Sequence, residues 1–282
     1  MAAPPAPTPR ERFADLASRR DAELDFAQLE LGAILIAAEE YPDLDPGAVR
    51  GALDQLGARA RERLAGAPDG AARVERLNRF LFEEEGFAGA SEYYDPRNSY
   101  LNEVLARRCG IPITLALVYM AVGRRAGLDV RGIAFPGHFL VRCAGSDLQI
   151  IDAFHGRTLS LGECEARLAT ALGPGAELRP ELHLRDASAR EILVRMLANL
   201  QRSFAGSGDA DRLLACCDRI VLLTPDDPVA LRDRALVYQQ LGWFAPAIAD
   251  LDAALQRATD ADLAAVLVRH RDALRERLGP VH

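Results

Sequence analysis

The chain has 282 residues, of which 49% are apolar and 27% are charged, a composition typical of globular proteins that is long enough for two domains. Its 34 Lys and Arg against 41 Asp and Glu give a formal net charge of -7, which argues against binding to nucleic acid or to an anionic membrane. The proline-rich start lacks the apolar segment of a signal peptide, and no apolar run reaches the length of a membrane helix, so a cytoplasmic protein is expected.

The cysteine content favours a reducing compartment. The five cysteines form an odd set without regular spacing, which indicates free thiols rather than a disulfide framework. They lie at Cys109, Cys143, Cys164, Cys216 and Cys217. The adjacent pair at 216 and 217 sits in a helical pattern, where small thiols are expected to fill space in a core.

The first part of the chain is predicted to be helical. Residues 1–24 are expected to form a disordered or loosely attached tail, and residues 25–185 the first domain. Within that domain, apolar residues recur at helical spacing up to about residue 108. Tyr41-Pro42 ends one helix, and Asp45-Pro46 begins the next with the aspartate as N-cap.

Three further helices follow before the pattern changes, the first of them from about Ala71 to Glu84. Asn98 or Ser99 is predicted to cap a helix that carries Leu101, Val104 and Leu105. The next helix, from about Ile113 to Ala126, is apolar on nearly every side and therefore has to be covered on most faces.

The sequence then changes to the period of β-strands. The runs 130–143 and 148–154 are rich in β-branched and aromatic residues, and they predict an antiparallel hairpin. A three-residue loop at Ala144, Gly145 and Ser146 would place His138 opposite Asp152, within reach of a hydrogen bond. A two-residue loop would place His138 opposite Ala153 instead.

The C-terminal part, residues 186–282, is predicted to be a helical repeat domain. At a spacing of 34 residues, Phe204 matches Tyr238 and Gly208 matches Gly242, a period typical of tetratricopeptide hairpins. A last helix is expected over about 261–278. The neighbouring Trp243 and Phe244 are interpreted as packing residues, with anchoring of a partner as the alternative.

Three segments carry the elements of a thiol-hydrolase core except its nucleophile. A helix beginning near Pro112, a strand region with His138 and a strand ending in Asp152 follow one another in the order that such a core uses. A cysteine hydrolase needs a thiolate at the helix start, a histidine to manage its proton and a third group to orient that histidine. Proline has no nucleophile, and so the ordinary mechanism is closed at this position.

Several short motifs in this order resemble the bacterial SirB-one family. They are the segments 95–102, 110–115, 135–142 and 150–154, and the likeness covers roughly residues 25 to 280. That family joins a transglutaminase-like core to C-terminal tetratricopeptide repeats. The resemblance implies an α+β fold: a helical N-terminal region and a papain- or transglutaminase-like core with a small antiparallel sheet, followed by an all-α repeat domain.

The resemblance also assigns the candidate triad. Against the active pattern Gly-x-Cys-x-x-x-Ala, this chain has Gly110 and Ala116 in place and Pro112 where the cysteine would be. His138 and Asp152 match the histidine and the aspartate. The implied function is a non-catalytic regulatory or interaction protein, that is, a pseudoenzyme.

Four other side chains are candidates to replace the missing cysteine nucleophile. Cys109 lies just ahead of the helix, and the alternative hypothesis is a thiol-dependent hydrolase or acyltransferase that uses it with His138 and Asp152. Cys143 is expected on the far face of the strand from His138. Thr114 and Ser99 are hydroxyls that would depend on His138 for activation.

Binding residues and partners complete the sequence predictions. A binding cleft is expected to involve the residues Asn98, Tyr100, Thr114, Phe135, Gly137 and His138. His155 is interpreted as a loop residue at the end of the hairpin. No His, Cys and Asp spacing matches a metal site, and no cofactor motif occurs. The expected partner is a protein or peptide, bound through the repeat surface or the core cleft.

Overall fold

The computed structural model describes residues 6–144 and 148–278. The chain packs as two units. The first contains Arg19–Met196, and the second combines Phe13–Ser18 with the chain from Leu197 onward. This division falls inside a helix, whereas the sequence places the boundary between residues 185 and 186.

The N-terminal segment is helical and packed, which corrects the prediction of a loose tail over residues 1–24. Helix α1 spans Pro9–Ala17, and Phe13, Leu16 and Ala17 on it are buried. Residues 1–5 of the predicted tail lie outside the described part of the chain. The sequence did not predict this helix because the segment is rich in proline and only three of its residues are buried.

Helices form most of the first unit, and their caps follow from local sequence. They are α2 (Phe26–Glu40), α3 (Pro46–Leu64), α4 (Gly70–Asn78), α5 (Leu101–Arg107), α6 (Pro112–Arg125), α7 (Leu161–Leu172), α8 (Pro180–His183) and α9 (Ala189–Ser207), the last of which continues into the second unit. Asp45 caps α3 as predicted, accepting a hydrogen bond from the amide of Gly47. The capping prediction at α5 is wrong. Asn98 and Ser99 lie in a 3-10 turn, and the N-cap is Tyr100.

The strands form two small sheets. β1 (Ala88–Gly89) and β2 (Cys109–Gly110) pair in parallel. The strands β3 (Asp129–Ile133), β4 (Leu140–Ala144), β5 (Gln149–Asp152) and β6 (Arg157–Leu159) form an antiparallel sheet in that order. The run 130–143, expected to be one strand, is itself a hairpin with a turn at Pro136 and Gly137.

The register of the second hairpin differs from both predicted alternatives. Arg142 pairs with Ile150, and Val141 pairs with Ile151. The pairing therefore does not oppose His138 to Asp152 or to Ala153, because His138 lies in the bend before β4 and outside the ladder. The predicted loop residues Gly145 and Ser146 lie outside the described residues.

One apolar cluster connects the sheet to the helix that follows it. It contains the buried residues Ile133, Phe135, Leu140, Ile150, Leu159, Cys164, Leu168 and Leu184. Helix α6 is buried from Pro112 to Gly123, in agreement with its apolar sequence. The end of β5, which carries Asp152, is therefore supported by side chains that are fixed in a core.

The second unit consists of helical hairpins, as the 34-residue period predicts. After α9 come α10 (Ala210–Leu223), α11 (Pro228–Gln240), α12 (Phe244–Arg257) and α13 (Ala261–Leu278). Gly208 and Gly242, which are equivalent in the repeat, have the same left-handed φ of 75°. Such a φ favours glycine at a helix end. Within residues 6–144 and 148–278, no helix has the length and apolar character needed to cross a bilayer.

Candidate functional site

Pro112 and Thr114 lie in the first turn of helix α6. Pro112 occupies its first position, where a missing backbone donor costs nothing. The hydroxyl of Thr114 accepts a hydrogen bond from the amide of Ile111 at 3.1 Å and donates to the carbonyl of Asn98 at 2.7 Å. Thr114 is fully buried, so this hydroxyl closes the helix start instead of facing a substrate.

His138 and Asp152 meet, although by a different route from the predicted register. The Nε2 atom of His138 lies 2.9 Å from Oδ1 of Asp152. The turn before His138 needs the left-handed φ of 68° at Gly137, and the Cβ of Ala171 lies close to that turn. The resulting bend lets the imidazole reach the end of β5 without belonging to the sheet.

Two further side chains bind the same carboxylate. The Nδ1 atom of His155 is 2.7 Å from Oδ2 of Asp152, and Nη2 of Arg167 is 2.5 Å from the same oxygen. The backbone amides of Phe154 and His155 donate to Oδ1 at 3.1 and 3.3 Å. Asp152 is completely buried, and these hydrogen bonds compensate for its lost hydration.

The electrostatics of the cluster keep Asp152 ionised. Burial by itself raises the pKa of this carboxyl group. Hydrogen bonds from His138 and His155 and the positive charge of Arg167 outweigh burial and hold the pKa well below its ordinary value. The carboxylate is therefore a fixed negative charge against which the two imidazoles are oriented.

Exposure differs strongly within the cluster. The side chain of Asp152 is 0% exposed, that of His138 12% and that of His155 49%. The ring of Phe154 packs edge to face against His138, at 6.3 Å between centroids, and against His155, at 5.1 Å. The imidazoles are thus held in place from one side while His155 opens to solvent.

Four of the other predicted binding residues are buried instead of lining an open cleft. Asn98, Tyr100, Thr114 and Phe135 are all buried, Phe135 within the apolar cluster of the sheet. Asn98 serves a structural purpose, since its side chain bonds the carbonyl of Glu92 and accepts from Arg107. Their assignment to a binding cleft stays a prediction, and their burial counts against direct contact with a large ligand.

The cysteines separate into buried thiols and one that is less buried. Among the five, all within the described residues, Cys109 is the only one not buried. It lies in β2, next to the start of α6. Burial raises the pKa of the Cys143 and Cys164 thiols, which lowers their thiolate content at neutral pH.

Sequence reasoning missed His155 and Arg167 as members of the site. For His155 a local signal exists, because an aspartate readily accepts hydrogen bonds from amides two and three residues ahead and so turns the chain back on itself. That turn places His155 beside Asp152. For Arg167 no such signal exists, since the packing of α7 decides where its guanidinium lies.

The sheet, the buried helix that begins at Pro112 and the helical hairpins define a transglutaminase-like core followed by tetratricopeptide repeats. A family model described as the transglutaminase-like superfamily matches residues 47–198. A second model, described as a tetratricopeptide repeat, matches residues 200–278.

Relatives cover most of the chain. A UPF0162 protein of Xylella fastidiosa (strain Temecula1) is 42% identical over 79% of this chain and 82% of its own length. A UPF0162 protein of Vibrio cholerae is 32% identical over 82% and 86%. Protein SirB1 of Salmonella typhimurium is 27% identical over 83% and 88%. The chain belongs to this family of UPF0162 and SirB1 proteins, which confirms the resemblance inferred from its motifs.

Among solved structures, menin shows a weak likeness. The match covers 89% of this chain and 70% of the menin chain, with a TM-score of 0.38 and 13% sequence identity. That menin structure is titled for the binding site of the Mixed Lineage Leukemia protein. A likeness at this level supports no statement about function here.

Proposed function

We propose that the protein is a non-catalytic member of the transglutaminase-like superfamily that acts by binding a protein or peptide. The observation that carries this proposal is the start of α6. Pro112 stands where the family pattern places the thiol, and the hydroxyl of Thr114 is hydrogen-bonded on both sides. An acyl-transfer mechanism needs an activated nucleophile at this point.

The repeat unit supports the interaction part of the proposal. Tetratricopeptide repeats generally mediate protein–protein interactions, and exposed apolar side chains mark surfaces of that kind. Large exposed apolar residues on this unit include Leu222, Val229, Leu236, Trp243, Val266 and Val268. Trp243 is half exposed and stacks on Tyr238 with 6.0 Å between ring centroids, an arrangement typical of a rigid contact residue.

The alternative function is a thiol-dependent hydrolase or acyltransferase that uses Cys109. The observation in its favour is that Cys109 is less buried than the other thiols and adjoins the start of α6. It would require the Cys109 sulfur to come within roughly 4 Å of a ring nitrogen of His138. The hydrogen bond that the His138 ring makes is to Asp152.

Thiol labelling separates the two functions. Wild type, Cys109→Ala and His138→Ala are treated with chloroacetamide at several pH values in the presence of EDTA, and adducts are followed by intact mass spectrometry. We expect slow labelling of Cys109 that is unchanged in His138→Ala.

The opposite result would support the hydrolase. Rapid labelling near neutral pH that disappears in Cys109→Ala and slows at least about tenfold in His138→Ala would show an activated thiolate. A matched burst of ester hydrolysis in wild type would exclude the non-catalytic proposal.

A further inference from the structure

Three side chains with metal-binding atoms converge at the end of β5. His138, Asp152 and His155 each offer one ligand atom, and these atoms lie within 4.8 Å of one another. The sequence pairs His138 with Asp152 but does not mark the three residues as a metal site, because they come from a turn, a strand end and a loop. Two imidazoles and one carboxylate are ligands suited to zinc, iron and nickel rather than to calcium or magnesium.

We propose that His138, Asp152 and His155 form a binding site for a divalent transition-metal ion such as Zn²⁺. The nitrogen atoms that now face the carboxylate, Nε2 of His138 and Nδ1 of His155, are 2.9 and 2.7 Å from its oxygens. An ion at the same place would take the lone pairs of both nitrogens in the neutral imidazoles and one oxygen of Asp152.

The carboxylate is already fixed in the orientation that such a site needs. Backbone amides of Phe154 and His155 hold Oδ1, and Arg167 holds Oδ2. Ligands whose orientation is set by surrounding hydrogen bonds lose little freedom when an ion binds. The ring of Phe154, packed against both imidazoles, restrains their rotation.

Hydrogen bonds to both oxygens of Asp152 limit what the carboxylate can offer to the ion. Because Arg167 holds Oδ2 at 2.5 Å and backbone amides hold Oδ1, the carboxylate adds a single oxygen to the two imidazoles. Three protein ligands leave at least one coordination position open to water, as in zinc sites that exchange a ligand. The half-exposed side chain of His155 gives the ion a route from solvent.

This inference goes beyond the proposed interaction role and does not depend on it. The site contains neither Pro112 nor Cys109, so the thiol-labelling result leaves it unaffected. Labelling in EDTA and metal titration without EDTA also give separate readouts. Either proposal can therefore fail while the other stands.

Metal titration of the full-length protein without a histidine tag tests the site. After treatment with EDTA and desalting, Zn²⁺ is titrated by calorimetry and Co²⁺ by visible absorption, which reports nitrogen and oxygen ligands directly. We expect one ion per chain. His138→Ala and His155→Ala should each weaken binding about tenfold or more, as loss of a ligand requires.

His183→Ala is the matched control, because His183 belongs to the same unit and hydrogen-bonds the amide of Arg179 instead of the cluster. It should bind both metals like wild type. His155→Ala is the decisive variant, since its half-exposed side chain can be removed without opening the core. Circular dichroism checks that each variant is folded. Absence of Co²⁺ binding up to millimolar concentration, or binding in His155→Ala within twofold of wild type, would overturn the proposal.

Discussion

Each unit contains a buried aspartate, and the hydrogen-bond partners of the two carboxylates differ. In the transglutaminase-like unit, Asp152 is completely buried and is bonded by two imidazoles, a guanidinium and backbone amides. In the repeat unit, Asp250 is 8% exposed and is bonded by both Nε and Nη2 of Arg234, at 2.7 and 2.8 Å. The first carboxylate is hydrogen-bonded to His155, whose side chain is half exposed. The second connects the neighbouring helices α11 and α12.

The difference shows how a buried charge can serve a site or a fold. Arg234 on α11 also lies 3.2 Å from Asp218 on α10, so one guanidinium bridges α10, α11 and α12. Such a network favours one stacking of the helices. Around Asp152, by contrast, two imidazoles and a guanidinium are gathered at the end of β5. Four measurements test this comparison.

The largest effect is expected at Asp152. Asp152→Asn removes the charge that compensates Arg167 and orients both imidazoles, and we expect it to lower the free energy of unfolding by about 3–5 kcal/mol. Urea unfolding in EDTA, followed by hydrogen exchange of the first unit, measures this loss. Asp129→Asn is the control, because the Asp129 and Arg131 side chains are both about half exposed and their pair should contribute less than about 1 kcal/mol. Equal losses in the two variants would contradict the expectation that removing a buried charge costs more stability than removing an exposed one.

A smaller loss is expected at Asp250. Asp250→Asn leaves Arg234 paired with Asp218. We therefore expect the free energy of unfolding to fall by about 2 kcal/mol. Trp243 is the only tryptophan in the sequence, and its fluorescence reports the unfolding of the repeat unit selectively. A loss at Asp250 larger than that at Asp152 would reverse the comparison between the units.

The repeat unit should also lose stability in alkali through Cys217. Burial raises the pKa of this thiol to about 11 despite a hydrogen bond from Gln201. The folded state therefore keeps the thiol neutral, while the unfolded chain ionises it near pH 8.5. The stability contributed by the neutral thiol is complete below that pH and is lost as the pH rises toward 11.

Cys217→Ala makes this contribution measurable. Between pH 8 and pH 10, the free energy of unfolding of wild type should fall by about 2 kcal/mol more than that of the variant, as reported by Trp243 fluorescence in urea. The remaining thiols and tyrosines are common to both proteins and cancel in the difference. Parallel pH profiles would mean that the thiol ionises equally in the folded and unfolded states.

The smallest effect is expected for an ion pair on the surface of the first unit. The side chains of Arg157 and Glu163 are 51% and 43% exposed. Arg157→Ala should change the free energy of unfolding by less than about 0.5 kcal/mol, since solvent screens such pairs. A loss above about 1 kcal/mol in the same urea titration would show that exposed charges near β6 also stabilise the first unit.

The sequence predicts elements better than it predicts pairing. The caps, prolines and apolar period locate the end of α2, the start of α3 and both ends of α6 within a residue or so, because these signals act within one helical turn. Both predicted registers of β4 and β5 were wrong. The position of His138 outside the ladder escaped prediction because the turn at Pro136 and Gly137 divides the run that the pattern treats as a single strand. Strand period alone does not reveal such a turn.

The site was predictable in part. His138 and Asp152 could be paired because family motifs mark both of them, and the distance of 2.9 Å between their side chains agrees with that pairing. His155 needed the turn at Asp152 to be recognised, and Arg167 needed the packing of α7. The sequence does not show whether Asn98 and Phe135 lie in the core or in a cleft, because residues of these types occur in both environments. In the structure both are buried.

The packing of α1 has a consequence for synthesis of the chain. Phe13 is buried in the second unit, where the guanidinium of Arg219 lies 5.8 Å from its ring, and about 200 residues separate the two in sequence. At ordinary rates of translation the ribosome needs about 10–40 s to make that much chain. Until Arg219 has been made, the apolar face of α1 lacks this packing partner, so α1 reaches its final place only after synthesis of the repeat unit is well under way.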